Sequence, residues 1–597
     1  MLQLRNHKAI IAHGLIMATL IISPLIIFPF MAGNRYRGIN IANYGRDELG
    51  YLSRGKEVLE GHGLGNYTFR EGKDGQDPYF NYSEYMLVTP LRLLGLADKA
   101  DITTIYAFYN FLGVFVLVLL IYFLALELSS DKLLSITTSL MVVGGYGLLQ
   151  PHLWFSINGY GQAFSPYIPS LVTFAYLNLL IKSLREEVWR WKYLILTAFS
   201  FGLLFYIYLY AWSYILAFNL ILFFLYFIRG DKERFKKILF ITFFGLIIGS
   251  YNLYSIYISL HSELNKQLFY FFGASYGRTP MFNMVNLIPL LLFSAFIYAR
   301  PKDSEGEIEK KRNWPLILAL ILTGWAVMNQ QIITGKILQP AHYRDVFLVP
   351  MAIIVSLYML SFKKAILIFL LIAVYINTAI GQYKATLTGY DLKIYRQNYR
   401  QLIDILNKNN DGGVIFTAER DNSYLFTVYT PHDLFWSNPF SAVNVPIKRI
   451  KDALYVYTYI NKQKRDSLSD YVREVGNPRY KLNQEESAYR DIYLSLEGLS
   501  SGLTISDYYK KLINNDPEIL KKREQMLYEL DLEYSIIKKR KNGIEDLLKS
   551  YGIDYIVHDK NLYPEWDISV LGGLREVIVS NPPTGQAGNI YLYKIAK

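Results

Sequence analysis

Hydrophobic residues fall into long, nearly charge-free runs that recur along the first two thirds of the chain. An α-helix of about 17 to 25 apolar residues is long enough to cross a hydrocarbon core roughly 30 Å thick. The pattern therefore predicts a polytopic α-helical membrane protein with eleven spans. In chain order they are Ala9 to Phe30, Thr104 to Leu126, Leu133 to Gln150, Pro166 to Ile181, Lys192 to about Tyr208, about Ala211 to Ile228, Ile238 to Ile258, Met284 to Ala299, Trp314 to Ile333, Val346 to Ser361 and Ala365 to Gln382.

The stretch from Lys192 to Arg229 fits either one overlong helix or two spans joined by a tight turn. Basic residues decide between them, because short cytoplasmic loops carry an excess of Lys and Arg. The connections 182–192, 229–237 and 300–312 contain several Lys and Arg and 363–364 is two Lys, whereas 150–165 contains neither residue type. Only the two-span interpretation puts all the basic connections on one side. The Tyr and Trp residues at its turn then form an interfacial aromatic belt.

This count places the N-terminus in the cytoplasm and the C-terminal tail outside a prokaryotic plasma membrane. The first run, which follows Arg5 and Lys8, is expected to remain as an uncleaved signal anchor. The loop 31–103 also lies outside, since loops longer than about 60 residues are translocated regardless of their charge. We thus predict a transmembrane domain over residues 1–382 and an extracytoplasmic domain over 383–597.

Two shorter patterns lie in the outer loop. Leu49, Leu52 and Leu59 recur at helical spacing, as do apolar residues from Tyr82 to Leu87 before Pro90. Both segments are expected to be short amphipathic helices in the membrane interface.

The tail predicts a mixed α/β domain. Its β-branched runs are GGVIFTA and YGIDYIVHD, REVIVS and NIYLYKI suggest a terminal hairpin, and 447–475 and 517–550 predict helices. Asp554, His558 and Asp559 lie together on one predicted strand. They suggest either metal binding or, the interpretation we favour, an exposed strand end.

Composition removes several classes of function. The 597-residue chain has a net charge of +12, but from residue 383 onward it carries 30 Lys and Arg against 28 Asp and Glu. Most of the excess therefore flanks the membrane spans, and nucleic acid is not an expected partner. The chain has no cysteine, which excludes disulfides, thiol nucleophiles and Cys-based metal sites.

Charged side chains are absent from the middle of every predicted span and gather instead in the outer loops. Ion-coupled transporters place such groups at the bilayer midplane despite their cost, so transport is disfavoured. The outer groups include the consecutive carboxylates Asp47 and Glu48, directly after the first span. Carboxylates and cations at this face suit sugar transfer from a lipid-linked phosphate, in which a carboxylate takes the acceptor proton and cations stabilise the departing phosphate.

The first span followed by an outer loop with an acidic pair on a juxtamembrane helix resembles the GT-C superfamily of glycosyltransferases that use polyprenyl-phosphate sugars. The nearest similarity is to protein O-mannosyltransferases and lipid A aminoarabinose transferases. The resemblance implies a GT-C-like fold and an inverting transfer of one sugar to a lipid, glycan or protein acceptor. Asp47 would be the general base and Glu48 its neighbour in the acidic motif. The chain departs from oligosaccharyltransferases, since DLFWSNP, from Asp433 to Pro439, does not match their WWDYG-type motif.

Four cations are candidates for donor-phosphate contact by their chemistry and side of the membrane: Arg54, Lys336, His342 and Arg344. No resident cofactor or metal site is predicted, although outer acidic residues leave a divalent cation open. Each candidate also has a structural alternative. Asp47 could cap a helix, Glu48 could complement its dipole, and the cations could contact membrane lipids or anchor the interface. The rival functions are a transporter or flippase of lipid-linked glycans, and a non-catalytic GT-C-like assembly protein.

Overall fold

The structure is a computed structural model of the chain. It describes residues 7–42, 46–97, 99–149, 155–164, 166–185, 188–261, 275–299, 305–360, 362–409, 412–417, 422–437, 445–475, 484–579 and 589–596. Residues 150–154, which include His152, and residue 165 of the predicted connection 150–165 lie outside these ranges, as do residues 262–274.

The N-terminal part is helical. Its helices are α1 (Lys8–Ala32), α2 (Arg46–Glu60), α3 (Ser83–Leu93), α4 (Ile102–Ser129), α5 (Lys132–Val143), α6 (Tyr167–Leu184), α7 (Trp191–Leu204), α8 (Leu209–Ile228), α9 (Lys232–Leu260), α10 (Met284–Ala299), α11 (Glu305–Met328), α12 (Gln331–Thr334), α13 (Pro340–Tyr343), α14 (Val349–Met359) and α15 (Lys364–Leu387). A π-helical segment, Arg344–Leu348, joins α13 to α14. A two-stranded antiparallel ribbon pairs β1 (Ser275–Tyr276) with β2 (Lys336–Ile337).

Among the described residues, seven helices are long and apolar enough to cross a membrane. They expose large apolar side chains such as Phe108, Phe224, Phe243 and Phe369 on their outer surfaces, as expected where lipid is the solvent. Each of the eleven predicted spans coincides with a helix. However, α5, α7, α10 and α14 have only 12, 14, 16 and 11 residues, so the number eleven stays a prediction.

The stretch from Lys192 to Arg229 contains two helices rather than one. α7 ends at Leu204 and α8 begins at Leu209, which agrees with the two-span interpretation. The backbone N–H groups of Phe205, Tyr206 and Ile207 bond to carbonyls three residues earlier, forming a tight turn. This turn presents Tyr206, Tyr208 and Tyr210 at one end of the helical bundle.

The tail is a mixed α/β domain. It comprises α16 (Tyr390–Arg396), α17 (Arg400–Asn409), α18 (Tyr424–Tyr429), α19 (Ile447–Ile460), α20 (Leu468–Val475), α21 (Gln484–Ser501), α22 (Ile505–Ile513), α23 (Pro517–Lys539) and α24 (Gly543–Ser550), with strands β3 (Val414–Thr417), β4 (Asp433–Leu434), β5 (Ile553–Asp559), β6 (Leu574–Val579) and β7 (Ile590–Ile595). The sheet order is β4-β3-β5-β7-β6. β4, β3 and β5 are parallel, whereas β7 is antiparallel to both β5 and β6.

Several helix boundaries differ from the sequence predictions. Pro90 lies inside α3 instead of ending it. The predicted helix 447–475 is two helices, because Asn461 Oδ1 accepts the N–H groups of Gln463 and Lys464 in a turn after α19. The predicted helix 517–550 likewise breaks between α23 and α24 at residues 540–542. At the boundary with the tail, α15 continues to Leu387, five residues past the predicted domain boundary at residue 382.

The outer loop is covered by the tail. Leu49, Leu52 and Leu59 of α2 are buried in a hydrophobic core that includes Leu425 and Phe426 of α18. This arrangement corrects the expectation that α2 lies with its apolar face in the membrane interface, because protein covers that face. The tail therefore holds α2 in place at the end of the helical bundle.

Candidate functional site

The first turn of α2 carries both predicted catalytic carboxylates. α2 begins at Arg46, so Asp47 and Glu48 both lie inside the first turn rather than before the helix. Successive helical residues point about 100° apart, and the two side chains have different surroundings. Asp47 is exposed, whereas Glu48 is fully buried.

Asp47 faces the segment around His342. Burial lowers the pKa of His342, and the carboxylates of Asp47 and Asp345 oppose that shift. Burial likewise raises the pKa of Tyr208, with a smaller contribution from Asp47. Asp47 is therefore within electrostatic range of both side chains, although it is about 300 residues from His342 in the chain.

His342 is held by two tyrosines from the α7–α8 turn. Its Nδ1 hydrogen-bonds the hydroxyl of Tyr208. The Tyr210 ring stacks on the imidazole, with centroids 4.7 Å apart and an interplanar angle of 11°. Tyr210 also donates to Gln339 Oε1 at 3.2 Å. These contacts fix the imidazole from two directions.

Arg344 follows His342 at the start of the π-helical segment. Its guanidinium makes a bidentate contact with Asp345, with Nε to Oδ1 at 2.6 Å and Nη2 to Oδ2 at 3.2 Å. Tyr146 donates to the same Asp345 Oδ1 at 2.9 Å. The two charged side chains are 42% and 40% exposed, so Arg344 remains reachable by a ligand. Single π-helical turns occur frequently at functional sites.

Glu48 is buried and lies within electrostatic range of Lys393, near the start of the tail. Burial lowers the pKa of Lys393 to about 8, the Glu48 carboxylate opposes that shift, and Arg396 adds to it. Lys393 Nζ donates to the carbonyls of Ala385 and Thr386 near the end of α15, at 3.1 and 3.4 Å. The structure therefore separates the two carboxylates that the sequence places together.

Arg54 lies in a buried ion-pair cluster. Its Nη2 is 2.7 Å from Asp77 Oδ2 and its Nε is 2.6 Å from Glu84 Oε1, and Nη2 also donates to the carbonyl of Asn81 at 2.7 Å. The Arg54 side chain is 4% exposed and both carboxylates are fully buried. Through these contacts Arg54 links α2 to the following loop and to α3. We therefore do not propose that it binds the donor phosphate.

Lys336 lies on β2, opposite Tyr276 of β1. The ribbon is tied to α12, because Gln330 Nε2 donates to the Lys336 carbonyl at 2.7 Å and Arg278 Nη1 donates to the carbonyls of Ile332 and Ile333. Lys336 is half-buried. It precedes His342 by six residues and belongs to the same connection between α11 and α14.

The described residues contain no group of three or more His, Cys, Asp or Glu that could hold a metal ion. In the tail, His558 Nε2 donates to the Tyr563 carbonyl at 2.9 Å and Asp559 accepts from Tyr395 and Tyr399. Both are buried, which corrects the interpretation of an exposed strand end.

Sequence analysis missed two parts of this site. Tyr208 and Tyr210 were assigned to an aromatic belt, whereas they contact His342. Asp345, which has no role in the sequence predictions, pairs with Arg344. The sequence does contain a signal for the two tyrosines, because both lie at the end of a turn that joins two apolar helices. The pairing with Asp345 depends on side-chain direction, which spacing does not give.

No protein-family model matches the sequence, and no curated protein matches it. Among solved structures, the chain aligns with the crystal structure of the Archaeoglobus fulgidus oligosaccharyltransferase in complex with Zn and sulfate, at 12% sequence identity and a TM-score of 0.36. The alignment covers 98% of this chain and 73% of that chain. A TM-score at that level does not establish a shared fold. The proposals below therefore rest on the residues of this chain.

Proposed function

We propose that the protein is a membrane glycosyltransferase that moves a sugar from a polyprenyl-phosphate-linked donor to a lipid, glycan or protein acceptor. The observation that carries this proposal is the exposed Asp47 carboxylate within electrostatic range of His342, which lies two residues before Arg344. A base and two phosphate-binding groups then meet at one end of an apolar helical bundle. The bundle would hold the lipid part of the donor among membrane lipids, on the outer face of a plasma membrane.

In the proposed reaction, Asp47 acts as general base. Its carboxylate takes the proton of the acceptor hydroxyl while that oxygen attacks the anomeric carbon. The bond between this carbon and the phosphate oxygen breaks, its electron pair leaves with the polyprenyl phosphate, and the anomeric centre is inverted. No step requires a metal ion.

The departing phosphate is assigned to Arg344 and His342. Arg344 already holds one carboxylate through two parallel N–H groups, the geometry that also suits a phosphate. His342 offers a second hydrogen-bond donor to the phosphate from the same connection. Lys336, also in this connection, is kept as a third candidate cation. These groups stabilise the negative charge that develops as the glycosidic bond breaks.

Glu48 is assigned to positioning rather than proton transfer. Its side chain is fully buried, so an acceptor hydroxyl that reaches Asp47 does not reach Glu48 without a rearrangement of α2. The charge on Glu48 instead acts on Lys393. This charge interaction links the first turn of α2 to Lys393 of α16, which donates to two carbonyls near the end of α15.

The test is sugar transfer by the purified protein in detergent. Polyprenyl-phosphate sugars with a radiolabelled sugar are mixed with the protein and with membrane extracts that contain acceptors. We expect label to move from the donor to a product, because transfer requires no second compartment. A flippase or an assembly protein yields no product under these conditions, and that result would overturn the proposal.

A further inference from the structure

The imidazole of His342 is more constrained than a phosphate contact alone requires. Tyr208 occupies its Nδ1 through a hydrogen bond, and Tyr210 covers one ring face. Tyr343, the next residue, is itself fixed, since its hydroxyl lies 2.8 Å from Ser213 Oγ and its ring meets Tyr210 edge-on at 5.0 Å. The first turn of α8 thus holds both the imidazole and the backbone that carries it.

The hydrogen bond at Nδ1 determines what the other nitrogen can do. A neutral imidazole has one N–H and one lone pair, and the partner of one nitrogen selects the tautomer. A tyrosine hydroxyl that donates to Nδ1 leaves the proton on Nε2. Nε2–H is then the only donor that the ring can offer to a ligand.

The surroundings of the ring favour this arrangement. Two carboxylates, Asp47 on α2 and Asp345 beside Arg344, raise the pKa of His342, but burial lowers it and is the larger effect. Burial also raises the pKa of Tyr208, so its hydroxyl keeps the proton that it donates. Among the described residues, the hydroxyl of Tyr208 has no hydrogen-bond partner other than His342.

We propose that Tyr208 is a positioning residue that fixes His342 as the Nε2–H tautomer, so that the imidazole donates a hydrogen bond to the departing phosphate oxygen of the lipid-linked donor. This inference rests on the proposed function. Tyr208 contacts neither substrate directly and acts through His342. Loss of its hydroxyl frees Nδ1 to take the proton, and Nε2 then presents a lone pair that repels the phosphate.

Tyr208→Phe removes this hydroxyl and keeps the ring. The matched control is Tyr206→Phe, which removes a hydroxyl of the same turn that donates instead to the Ile248 carbonyl at 2.8 Å. We expect Tyr208→Phe to lower kcat by about tenfold or more, because the hydrogen bond from His342 Nε2–H to the charged phosphate is lost. The KM of the sugar donor should change less. Tyr206→Phe should keep kcat within about twofold, because no contact of the imidazole changes.

A second measurement reads the tautomer without turnover. The chain has eight histidines, so ¹⁵N spectra of histidine-labelled protein can be assigned for His342 by comparison with His342→Gln. The wild type and Tyr206→Phe should show an unprotonated Nδ1 and a protonated Nε2, and Tyr208→Phe a shift toward the other tautomer. Thermal unfolding of each variant confirms that it is folded.

Three outcomes separate this inference from the proposed function. No transfer by the wild type overturns both. Transfer that is lost in Asp47→Asn but unchanged in Tyr208→Phe overturns the role of Tyr208 alone. An unchanged His342 tautomer in Tyr208→Phe also overturns it, whatever the effect on kcat, because Tyr208 then acts by some means other than the tautomer.

Discussion

Asp47 and Glu48 are consecutive in the chain, yet their carboxylates meet different partners. Asp47 is exposed opposite His342, and Glu48 is buried near Lys393. The acidic pair and its helix were predictable from sequence, because apolar spacing predicted α2. Which carboxylate stays exposed was not, because that depends on the tail covering one face of α2. The burial of Arg54 between Asp77 and Glu84 could not be predicted from sequence either, because it depends on tertiary contacts.

The coupling of Glu48 to Lys393 predicts a specific pH dependence of stability. Lys393 has a pKa of about 8 in the folded protein, below its ordinary value of 10.5. Between these values the unfolded chain binds more protons than the folded one, so stability rises with pH in this window. Glu48→Gln removes the charge that opposes the lowering of this pKa, so the rise should begin below pH 8.

Thermal unfolding in detergent from pH 6.5 to 10 checks this prediction. Lys393→Met should abolish this contribution, and Asp47→Asn should leave the window unchanged because Asp47 is exposed on another face of α2. At pH 7 Glu48→Gln should also lose about 1–3 kcal/mol of stability, the cost of leaving a buried polar group without its partner. Superimposable wild-type and Glu48→Gln profiles would show that the two groups are not coupled.

At the scale of elements, α2 is held against the tail by an ion-pair triad. Lys73 Nζ is 2.9 Å from Glu57 Oε2 on α2 and 2.5 Å from Asp433 Oδ1 on β4, with all three side chains at most 11% exposed. Nearby, Ser53 Oγ lies 2.6 Å from Thr427 Oγ1 of α18. The position of Asp47 therefore depends on contacts between the outer loop and the tail.

Lys73→Met should destabilise this junction strongly. Removal of one partner from a buried ion pair typically costs about 3–5 kcal/mol, because the remaining charges are left uncompensated. Lys56→Met is the matched control, since Lys56 pairs with Glu60 on the same helix and both are partly exposed; such a pair contributes about 0.3–0.5 kcal/mol. Hydrogen exchange of α2 measures the effect, and equal exchange in the two variants would argue against the triad.

Helices and strands were predicted well where a long pattern decides them and poorly where one side chain does. The strands GGVIFTA and YGIDYIVHD were found as β3 and β5, and the predicted terminal hairpin as β6 and β7. The break after α19 depends on the side chain of Asn461, which a hydrophobic pattern does not register. The short strand β4 has only two residues, too few for any periodicity.

At the scale of the whole molecule, contacts group the connections as the basic-residue pattern predicts. Connections predicted to be cytoplasmic contact one another, as in Arg185 with Glu127 at 2.5 Å and Lys237 with the Ser183 carbonyl at 3.1 Å. Connections predicted to be outside do the same, as in the Gly277 N–H, which donates to the Gly335 carbonyl at 3.1 Å. Each group therefore lies at its own end of the bundle, and which end faces outward stays a prediction.

Cysteine labelling tests the orientation directly, because the chain has no native cysteine. Lys132→Cys and Lys236→Cys are exposed sites predicted inside, and Asp74→Cys and Lys541→Cys are exposed sites predicted outside. A membrane-impermeant maleimide should label the second pair in intact cells and the first pair only after permeabilisation. The reverse pattern would place Asp47 in the cytoplasm and contradict the proposed outer-face reaction.

The central claim is that Asp47 is the base of a sugar-transfer reaction, and the turnover of Asp47→Asn tests it most directly. The exposed side chain can be changed with little effect on folding, which thermal unfolding verifies. Positioned general bases contribute about 10²–10⁴-fold to rate. We therefore expect the kcat of Asp47→Asn to fall by about that factor, with the KM of the donor changed only a few-fold. Turnover within about twofold of the wild type, in a folded variant, would contradict the account.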